Sequence, residues 1–362
     1  MSPAAQNGVA AKVQKTEADQ DRADFLALFE ELREEIVNDP LLKGQPEFSK
    51  DWVCKMINYN VPHGKLNRGL AVLDVIKCIH AAKAPMDAAK DLRLAGILGW
   101  CIEFLQAYFL VADDIMDRSV TRRGQPCWYR RENVGMVAIN DGILLESYIY
   151  RLLRSHFRSH PSYLGLMELF HDVTSQTAHG QLLDTTNTPV GRVDLARYTP
   201  EIYERIVTFK TSFYTFYLPV AAGLLLAGEQ RTEALALAQD ISLKMGTYFQ
   251  AQDDVLDAYG DPETIGKIGT DIQDNKCSWL VVQALQKASE EQRAVLEKNY
   301  GRDEPEAVRA VKEVYAELEL REAFDAYEAD FHAQLTAAID GQDYFPPGVF
   351  HTLLAKIYKR EK

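Results

Sequence analysis

The chain has 362 residues, of which 47% are hydrophobic, so it is long enough to bury a large core in one or two domains. Its 53 acidic residues outnumber 40 basic ones and give a net charge of -13, which disfavours binding to a nucleic-acid backbone. The five cysteines are scattered singly, with no Cys-x-x-Cys pair, at Cys54, Cys78, Cys101, Cys127 and Cys277. This pattern argues against a zinc site and against a secreted disulfide framework, and it favours a reducing, cytoplasmic compartment.

The N-terminal segment, residues 1–20, mixes Ala, Gln, Asn and Lys without an apolar centre. It therefore lacks the core of a signal peptide, and with no arginine before Arg22 it is a poor mitochondrial transit sequence. We expect a disordered tail here, followed by one domain over residues 21–362.

Helical periodicity begins at Asp21, with apolar residues three and four apart at Phe25, Leu28, Phe29 and Leu32. No convincing alternation typical of strands follows. Short Pro and Gly clusters separate helices rather than domains, at positions 60–69, 123–126, 188–191, 260–262 and 341–348. The pattern predicts an all-α protein with a single large helical domain.

The loop Gly64–Gly69 carries Lys65 and Arg68 one helical turn apart. Its glycines let the backbone approach a ligand closely, and the two cations suit a phosphate. An ordinary helix start explains the loop equally well.

Two acidic clusters of identical spacing end apolar helical stretches, at positions 113–117 and 253–257. On a helix, Asp113 and Asp117 share one face, as do Asp253 and Asp257. Because like charges so placed repel, a cation is their natural partner.

A solvated acidic face is the alternative for either cluster alone, but it does not require a matching partner elsewhere in the chain. Hard carboxylate ligands select Mg²⁺, Mn²⁺ or Ca²⁺, and the calcium-loop pattern is absent. Since Mg²⁺ is usually bound by one or two carboxylates plus substrate phosphates, two facing clusters would hold a diphosphate through metal ions.

Basic residues follow the first cluster: Arg122 and Arg123 precede a Gly-Gln-Pro turn, where bidentate guanidinium groups suit phosphate oxygens.

The longest uncharged stretch, Thr211–Gly228, is too polar and too broken for a membrane span and is predicted to be a buried core helix. Lys210, Lys267 and Lys276 carry no signal as single lysines.

Four segments resemble the eukaryotic farnesyl diphosphate synthases, short-chain trans-prenyl diphosphate synthases, and the resemblance extends from Asp21 to Lys362. It implies an isoprenoid synthase fold with a central substrate cavity, a homodimer and a set of about three Mg²⁺ ions, for which Mn²⁺ can substitute. The segments are Phe104–Tyr129, Phe209–Pro219, Tyr248–Asp257 and Gly266–Trp279.

Roles carried over from the resemblance are expectations for individual residues. Asp113, Asp117 and Asp253 are the main metal ligands. Supporting roles at the metals fall to Asp114, Asp254, Asp257 and Asp271. The allylic diphosphate is held by Arg122, Lys210 and Lys267, with Lys276 in the second basic loop. The isopentenyl diphosphate is held by Lys65, Arg68, Gln106, Arg123 and Arg360. Thr211 and Gln250 stabilise the allylic cation. Glu361 departs from the basic C-terminus frequent in the family.

The implied reaction joins isopentenyl diphosphate to dimethylallyl and then geranyl diphosphate, giving farnesyl diphosphate. Tyr108 and Phe109 lie roughly 6 to 8 Å before Asp113 along a helix. We expect their side chains to form the bottom of the allylic substrate pocket and so to set product length; core packing is the alternative. A geranyl or geranylgeranyl diphosphate synthase and an inactive regulatory subunit remain alternatives. A terpene cyclase would carry an Asn, Ser and Glu motif in place of the second cluster.

Overall fold

A computed structural model describes residues 16–83, 87–189, 192–261 and 269–360. Helices dominate these ranges, which confirms the all-α prediction. The α-helices are α1 (Glu17–Val37), α2 (Glu47–Asn60), α3 (Asn67–Ala82), α4 (Ala88–Met116), α5 (Ala138–Phe157), α6 (Tyr163–Asn187), α7 (Pro200–Val207), α8 (Leu218–Leu226), α9 (Thr232–Tyr259), α10 (Trp279–Lys287), α11 (Glu290–Asn299), α12 (Pro305–Glu317), α13 (Leu320–Asp340) and α14 (Gly348–Ile357). Short 3₁₀ turns occupy Pro40–Leu42, Trp128–Arg130, Gly135–Val137 and Leu195–Arg197.

Helix α1 begins inside the segment predicted to be a tail. Thr16 caps it, because its hydroxyl accepts from the Asp19 N–H while the Asp19 carboxylate accepts from the Thr16 N–H. Residues 17–20 are therefore helical and correct that part of the prediction. Positions 1–15 lie outside the described residues, and the single domain stays a prediction.

A small hairpin follows α4 and is the one pair of strands in the described ranges. Strand β1 (Thr121–Arg122) pairs antiparallel with β2 (Gln125–Pro126). Arg123 and Gly124 form the turn with φ of 53° and 74°. The hairpin turns the chain back, so that Arg122 lies beside the end of α4.

Helix α4 is the central helix of the bundle, packed by α3, α5 and α8. Within the described part of the chain it is the single helix long and apolar enough to cross a membrane, yet 78% of its apolar window is buried inside the protein. Its composition is therefore that of a core helix surrounded by other helices.

The uncharged stretch after Lys210 is buried as predicted, but its first part is not α-helical. Residues Thr208–Tyr217 form a π-helix, and α8 continues directly from it with every residue buried. A glycine allows α6 to approach the backbone of this segment closely, since a Cβ at Gly180 would lie 2.1 Å from the backbone nitrogen of Lys210. Wide π turns often occur at functional sites, and this one carries Lys210 and Thr211.

Candidate active site

A polar cleft is lined by α6, α7, the π-helix and the last turns of α9. Two lysines of its lining, Lys210 and Lys276, contact Asp113 and Asp117 at the C-terminal end of α4. The cleft has a volume of about 130 Å³. Its lining combines acidic, basic and hydroxyl side chains, among them Asp184, Lys210, Thr211, Gln250, Asp254, Asp271 and Lys276. Most of these residues were selected from the sequence.

The first acidic cluster faces cations across the cleft. Asp113 Oδ1 lies 3.3 Å from Lys210 Nζ and accepts from the Gln181 amide at 2.9 Å. Asp117 accepts from Lys276 Nζ at 2.8 Å. Burial opposes ionisation of Asp113, but the charges of Lys210, Lys276 and Arg122 outweigh it and hold its pKa below the ordinary value. The surrounding cations therefore favour the ionised form of Asp113.

Asp184 and Gln181 of α6 complete this arrangement and were missed from the sequence. Lys210 Nζ donates to Asp184 at 2.5 Å, and Lys276 Nζ lies 3.6 Å from it. Although burial opposes it, the two lysines lower the pKa of Asp184. The signal available was weak: both are polar side chains three positions apart on one buried helix face.

Arg122 belongs to the first cluster as a structural partner. Its Nε and Nη2 donate to Asp114 Oδ1 at 3.0 and 2.6 Å, and Nη2 reaches Asp113 Oδ2 at 3.3 Å. Asp114 is 4% exposed. This carboxylate therefore serves as the counterion of Arg122.

In the second cluster, each carboxylate has a different neighbour. Asp253 accepts from Arg360 Nη2 at 3.0 Å. Asp257 accepts from the backbone N–H groups of Thr270 and Asp271 at 3.3 and 3.0 Å, so it holds these two residues beside the end of α9.

Asp254 is buried and accepts from the Trp279 N–H at 2.7 Å, from Tyr203 at 3.0 Å and from Gln250 at 2.9 Å. Burial raises the pKa of Asp254 to about 7 despite these donors. Thr211 Oγ1 donates to Gln250 Oε1 at 3.1 Å, so Thr211, Gln250 and Asp254 form one polar chain along the cleft.

A second basic group lies by the start of α3. Arg68 donates to Tyr214 and Thr215 at 3.0 Å and stacks on the Tyr214 ring. Gln106, with its amide oriented to satisfy both neighbours, accepts from Arg68 at 2.8 Å. Arg123 packs against Gly64, and both residues line a second cleft of about 320 Å³.

Arg360 reaches the site from the C-terminus, with its guanidinium 3.9 Å from the centre of the Phe249 ring. Lys65 heads the loop next to Arg68, and its carbonyl accepts from Arg22. Two of the residues singled out in the sequence, Lys267 and Glu361, lie outside the described ranges.

Tyr108 and Phe109 lie one turn before the first cluster with ring centres 4.9 Å apart. The Phe109 ring lies 6.2 Å from that of Tyr214, and Tyr108 faces α5, where a Cβ at Gly142 would come within 3.4 Å of its ring. Both are only partly buried. The placement is compatible with a pocket wall.

The fit of Mg²⁺ can be tested on the carboxylates themselves. Across the described ranges no three His, Cys, Asp or Glu side chains form a ready metal cage. Asp113, Asp117 and Asp253 are 21%, 27% and 38% exposed and are the accessible members of the two clusters. This donor set fits Mg²⁺ bound by one or two carboxylates and completed by phosphate oxygens and water. Asp114, Asp254 and Asp257 are engaged by protein donors and fit a supporting role.

Comparison with known proteins shows the family of this chain. Residues 50–318 match the family model for polyprenyl synthetase. A farnesyl pyrophosphate synthase of Panax ginseng is 50% identical over 339 residues, covering 93% of this chain and 98% of that protein. Farnesyl pyrophosphate synthase 1, mitochondrial, of Arabidopsis thaliana is 50% identical over 94% of this chain and 88% of that protein. The structure of T. brucei farnesyl diphosphate synthase complexed with risedronate superimposes with a TM-score of 0.85 at 38% identity, covering 94% of this chain and 100% of that one.

Proposed function

This chain belongs to the polyprenyl synthetase family, and from that membership we propose that it condenses isopentenyl diphosphate with dimethylallyl and then geranyl diphosphate to give farnesyl diphosphate. The observation that carries the proposal is that Lys210 and Lys276, which contact Asp113 and Asp117 of the first cluster, line the same cleft as Asp254 of the second. Arg122 lies beside Asp113. Carboxylates that bind metal and cations that bind phosphate are the two requirements of a diphosphate leaving group.

Metal binding is assigned to Asp113, Asp117 and Asp253. When bound there, Mg²⁺ or Mn²⁺ neutralises charge that develops on the departing diphosphate. Asp114 and Asp254 keep the two clusters in place, the first by fixing Arg122 and the second by anchoring the start of α10 through the Trp279 N–H.

The allylic diphosphate is assigned to Arg122, Lys210 and Lys276, with Lys267 as a further predicted contact. In the structure both cleft lysines are held by carboxylates of the first cluster and by Asp184. Phosphate oxygens would share these ammonium protons, so the lysines need only small movements to bind substrate. Their positive charge favours departure of the diphosphate.

The allylic cation forms next to Thr211 and Gln250, whose oxygen atoms face the cleft. The exclusion of water, which would otherwise trap the cation, is assigned to the aromatic rings of Phe109 and Tyr214, whose centres lie 6.2 Å apart. The isopentenyl double bond then attacks the cation, and the departing diphosphate takes the proton released. No protein base is needed.

The isopentenyl diphosphate is assigned to the second basic group, comprising Lys65, Arg68, Gln106, Arg123 and Arg360. Arg68 and Arg123 act on the charge of the same buried carboxylate, Glu103, and Arg68 also lies within electrostatic range of Arg360. The group can therefore surround a single diphosphate.

A homodimer is part of the proposal, and an exposed apolar stripe supports it. Met136, Ile139 and Ile143 are 59%, 55% and 58% exposed and recur at helical spacing along the start of α5, with Val137 beside them. Sedimentation of Ile143→Lys should show loss of the dimer; a wild-type protein that sediments as a monomer would contradict the assignment.

A cytoplasmic location is also proposed, because the five scattered cysteines are typical of a protein in a reducing compartment. Because one 50% identical relative is named mitochondrial, the direct test is microscopy of the full chain carrying a C-terminal fluorescent tag. Colocalisation with mitochondria would exclude the proposal.

The activity is tested by incubating purified protein with radiolabelled isopentenyl diphosphate and one allylic substrate at a time. We expect fifteen-carbon product from both dimethylallyl and geranyl diphosphate, and no extension of farnesyl diphosphate. A ten-carbon or twenty-carbon main product would instead identify a geranyl or geranylgeranyl synthase. Absence of product at saturating Mg²⁺ would favour the inactive subunit.

A further inference from the structure

We propose that Glu103 of α4 is a positioning residue for the isopentenyl diphosphate site, because it fixes the first turn of α3 and the Gln106–Arg68 pair. This inference rests on the proposed function and deepens it. Glu103 is not a predicted contact of either substrate, and it lies within the core of the bundle at 2% exposure.

Both carboxylate oxygens of Glu103 are used. Oε1 accepts from the Gly69 N–H at 2.8 Å. Oε2 accepts from the Gln106 amide at 2.9 Å, and the amide oxygen of Gln106 accepts from Arg68 Nη1 at 2.8 Å. One buried side chain thus holds a backbone group and, through Gln106, a guanidinium of the same site.

The start of α3 needs such a partner because it has no cap of its own. The residue before the helix, Leu66, has a φ of 56° and provides no side-chain hydrogen bond to the first turn. Glu103 supplies the missing acceptor from another helix and adds negative charge at the positive end of the helix dipole. Lys65 precedes this turn, and Arg68 lies within it.

Close packing brings the carboxylate to the turn. A Cβ at Gly69 would lie 2.6 Å from the Phe25 ring, and one at Gly99 would lie 2.5 Å from the Gly69 carbonyl oxygen. The two glycines therefore let α3 and α4 approach to backbone contact. Glu103, one turn after Gly99, is then directly beneath the first turn of α3.

The negative charge of Glu103 also offsets the positive charges of nearby arginines. Burial raises its pKa, while the Gly69 N–H and the charges of Arg68, Arg123 and Arg22 act in the opposite direction. Arg22 also donates to the carbonyls of Lys65 and Gly64 at 2.8 and 3.1 Å. The carboxylate thus stands among three guanidinium groups that would otherwise repel one another.

The test is Glu103→Gln, which keeps the shape of the side chain but offers one acceptor where two donors, the Gly69 N–H and the Gln106 amide, need one each. We expect the KM for isopentenyl diphosphate to rise about tenfold, as for loss of one hydrogen bond within a charged network. The KM for geranyl diphosphate should stay within about twofold, and kcat at saturation should be largely kept.

Asp141→Asn is the matched control. Asp141 is 1% exposed and its two oxygens accept from the indole N–H groups of Trp52 and Trp128 at 2.9 and 2.8 Å. The control removes one acceptor from an equally buried carboxylate, so it should lower Tm without changing the ratio of the two KM values.

Equal increases in both KM values for Glu103→Gln, or an unchanged KM for isopentenyl diphosphate, would overturn the inference. If Glu103→Gln does not fold, Glu103→Asp replaces it, because it keeps the charge and both acceptors on a shorter side chain; a selective rise in the isopentenyl KM supports the proposal and an equal rise overturns it. Failure of the proposed function is distinguishable, since wild-type protein would then form no condensation product.

Discussion

The ends of α4 and α9 carry the same short sequence in different surroundings. Residues Tyr108–Asp117 and Tyr248–Asp257 both read Tyr-Phe, three residues, Asp-Asp, two residues, Asp. Both segments are helical, so each places its first and last aspartates on one face. Local geometry therefore gives two equivalent arrays of carboxylates.

The neighbours of these arrays differ. Asp113 and Asp117 face the ammonium groups of Lys210 and Lys276. Asp253 is instead paired with Arg360, next to the C-terminus, and the following Asp254 is buried among uncharged donors. The comparison shows that helical spacing fixes where carboxylates point, whereas distant parts of the chain decide which are ionised and accessible.

The aromatic pairs differ in the same way. Phe109 lies beside Tyr214, while Phe249 lies under the guanidinium of Arg360. Tyr248 is buried and donates to Glu328 at 2.6 Å. The same dipeptide thus packs beside Tyr214 of the π-helix in one copy and beneath the C-terminal segment in the other.

The largest expected effect would come from breaking either array. Asp113→Ala and Asp253→Ala should each lower kcat at least about a hundredfold, the scale of losing one strong electrostatic stabiliser. Chelation should abolish turnover, and Mg²⁺ or Mn²⁺ should restore it.

Asp240→Ala is the control, because Asp240 is an exposed carboxylate on α9 paired with Lys244 alone. It should behave like wild type. Full turnover in chelator-treated protein, or normal kcat in either cluster variant, would contradict a metal site shared by both arrays.

The two Tyr-Phe pairs can be compared by the chain length of the product that their variants make. Removing a ring at the pocket floor should let the chain grow, so Tyr108→Ala or Phe109→Ala should shift the main product to twenty carbons or longer. Phe249→Ala, the matched change in the second copy, should keep the fifteen-carbon product. Chromatography of the dephosphorylated alcohols measures this; a fifteen-carbon product from both first-copy variants would refute the floor model.

The paired arginines sharpen the division between the two substrates. Arg122 contacts the first array, whereas Arg123 packs on Gly64 near Arg68. We expect Arg122→Ala to raise the KM of the allylic substrate and Arg123→Ala that of isopentenyl diphosphate, each by about tenfold. Separate Michaelis constants decide the matter, and the same effect of both variants on both constants would argue against the assignment.

The smallest effect concerns pH and stability in metal-free protein. The pKa of Asp254 is raised from 3.8 to about 7, so the folded state binds this proton more tightly than the unfolded chain. Its contribution to stability is present below the unfolded value and is lost as pH rises toward about 7. Asp113, whose pKa is lowered, contributes in the opposite sense, above its unfolded value.

Asp254→Asn should remove the first of these slopes, with a change on the order of a few degrees in Tm. Its carbonyl can still accept from Trp279 and Tyr203, and the Gln250 amide can turn to accept its new N–H. Thermal melts between pH 5 and 8 test this; an unchanged slope would show that Asp254 is ionised throughout.

Much of the architecture was predictable because it depends on short-range periodicity. The apolar spacing of Phe25, Leu28 and Phe29 predicted a helix, and the same three residues lie on the buried face of α1. The π-helix at Thr208–Tyr217 was not foreseen, since its sequence is as apolar as an ordinary core helix. Its wide turn depends on contact with Gly180 and Gly246 of two other helices.

The sequence by itself determined the helical class, the two carboxylate arrays and the adjacent arginine pair, because helix geometry fixes the relative positions of residues a few places apart. Only the tertiary structure decided the partners. Lys276 meets Asp117 across 159 positions, and Glu103 caps a helix that begins 36 residues before it. Such pairings follow from how helices pack, so local spacing carries no information about whether a carboxylate faces a lysine, an arginine or the buried core.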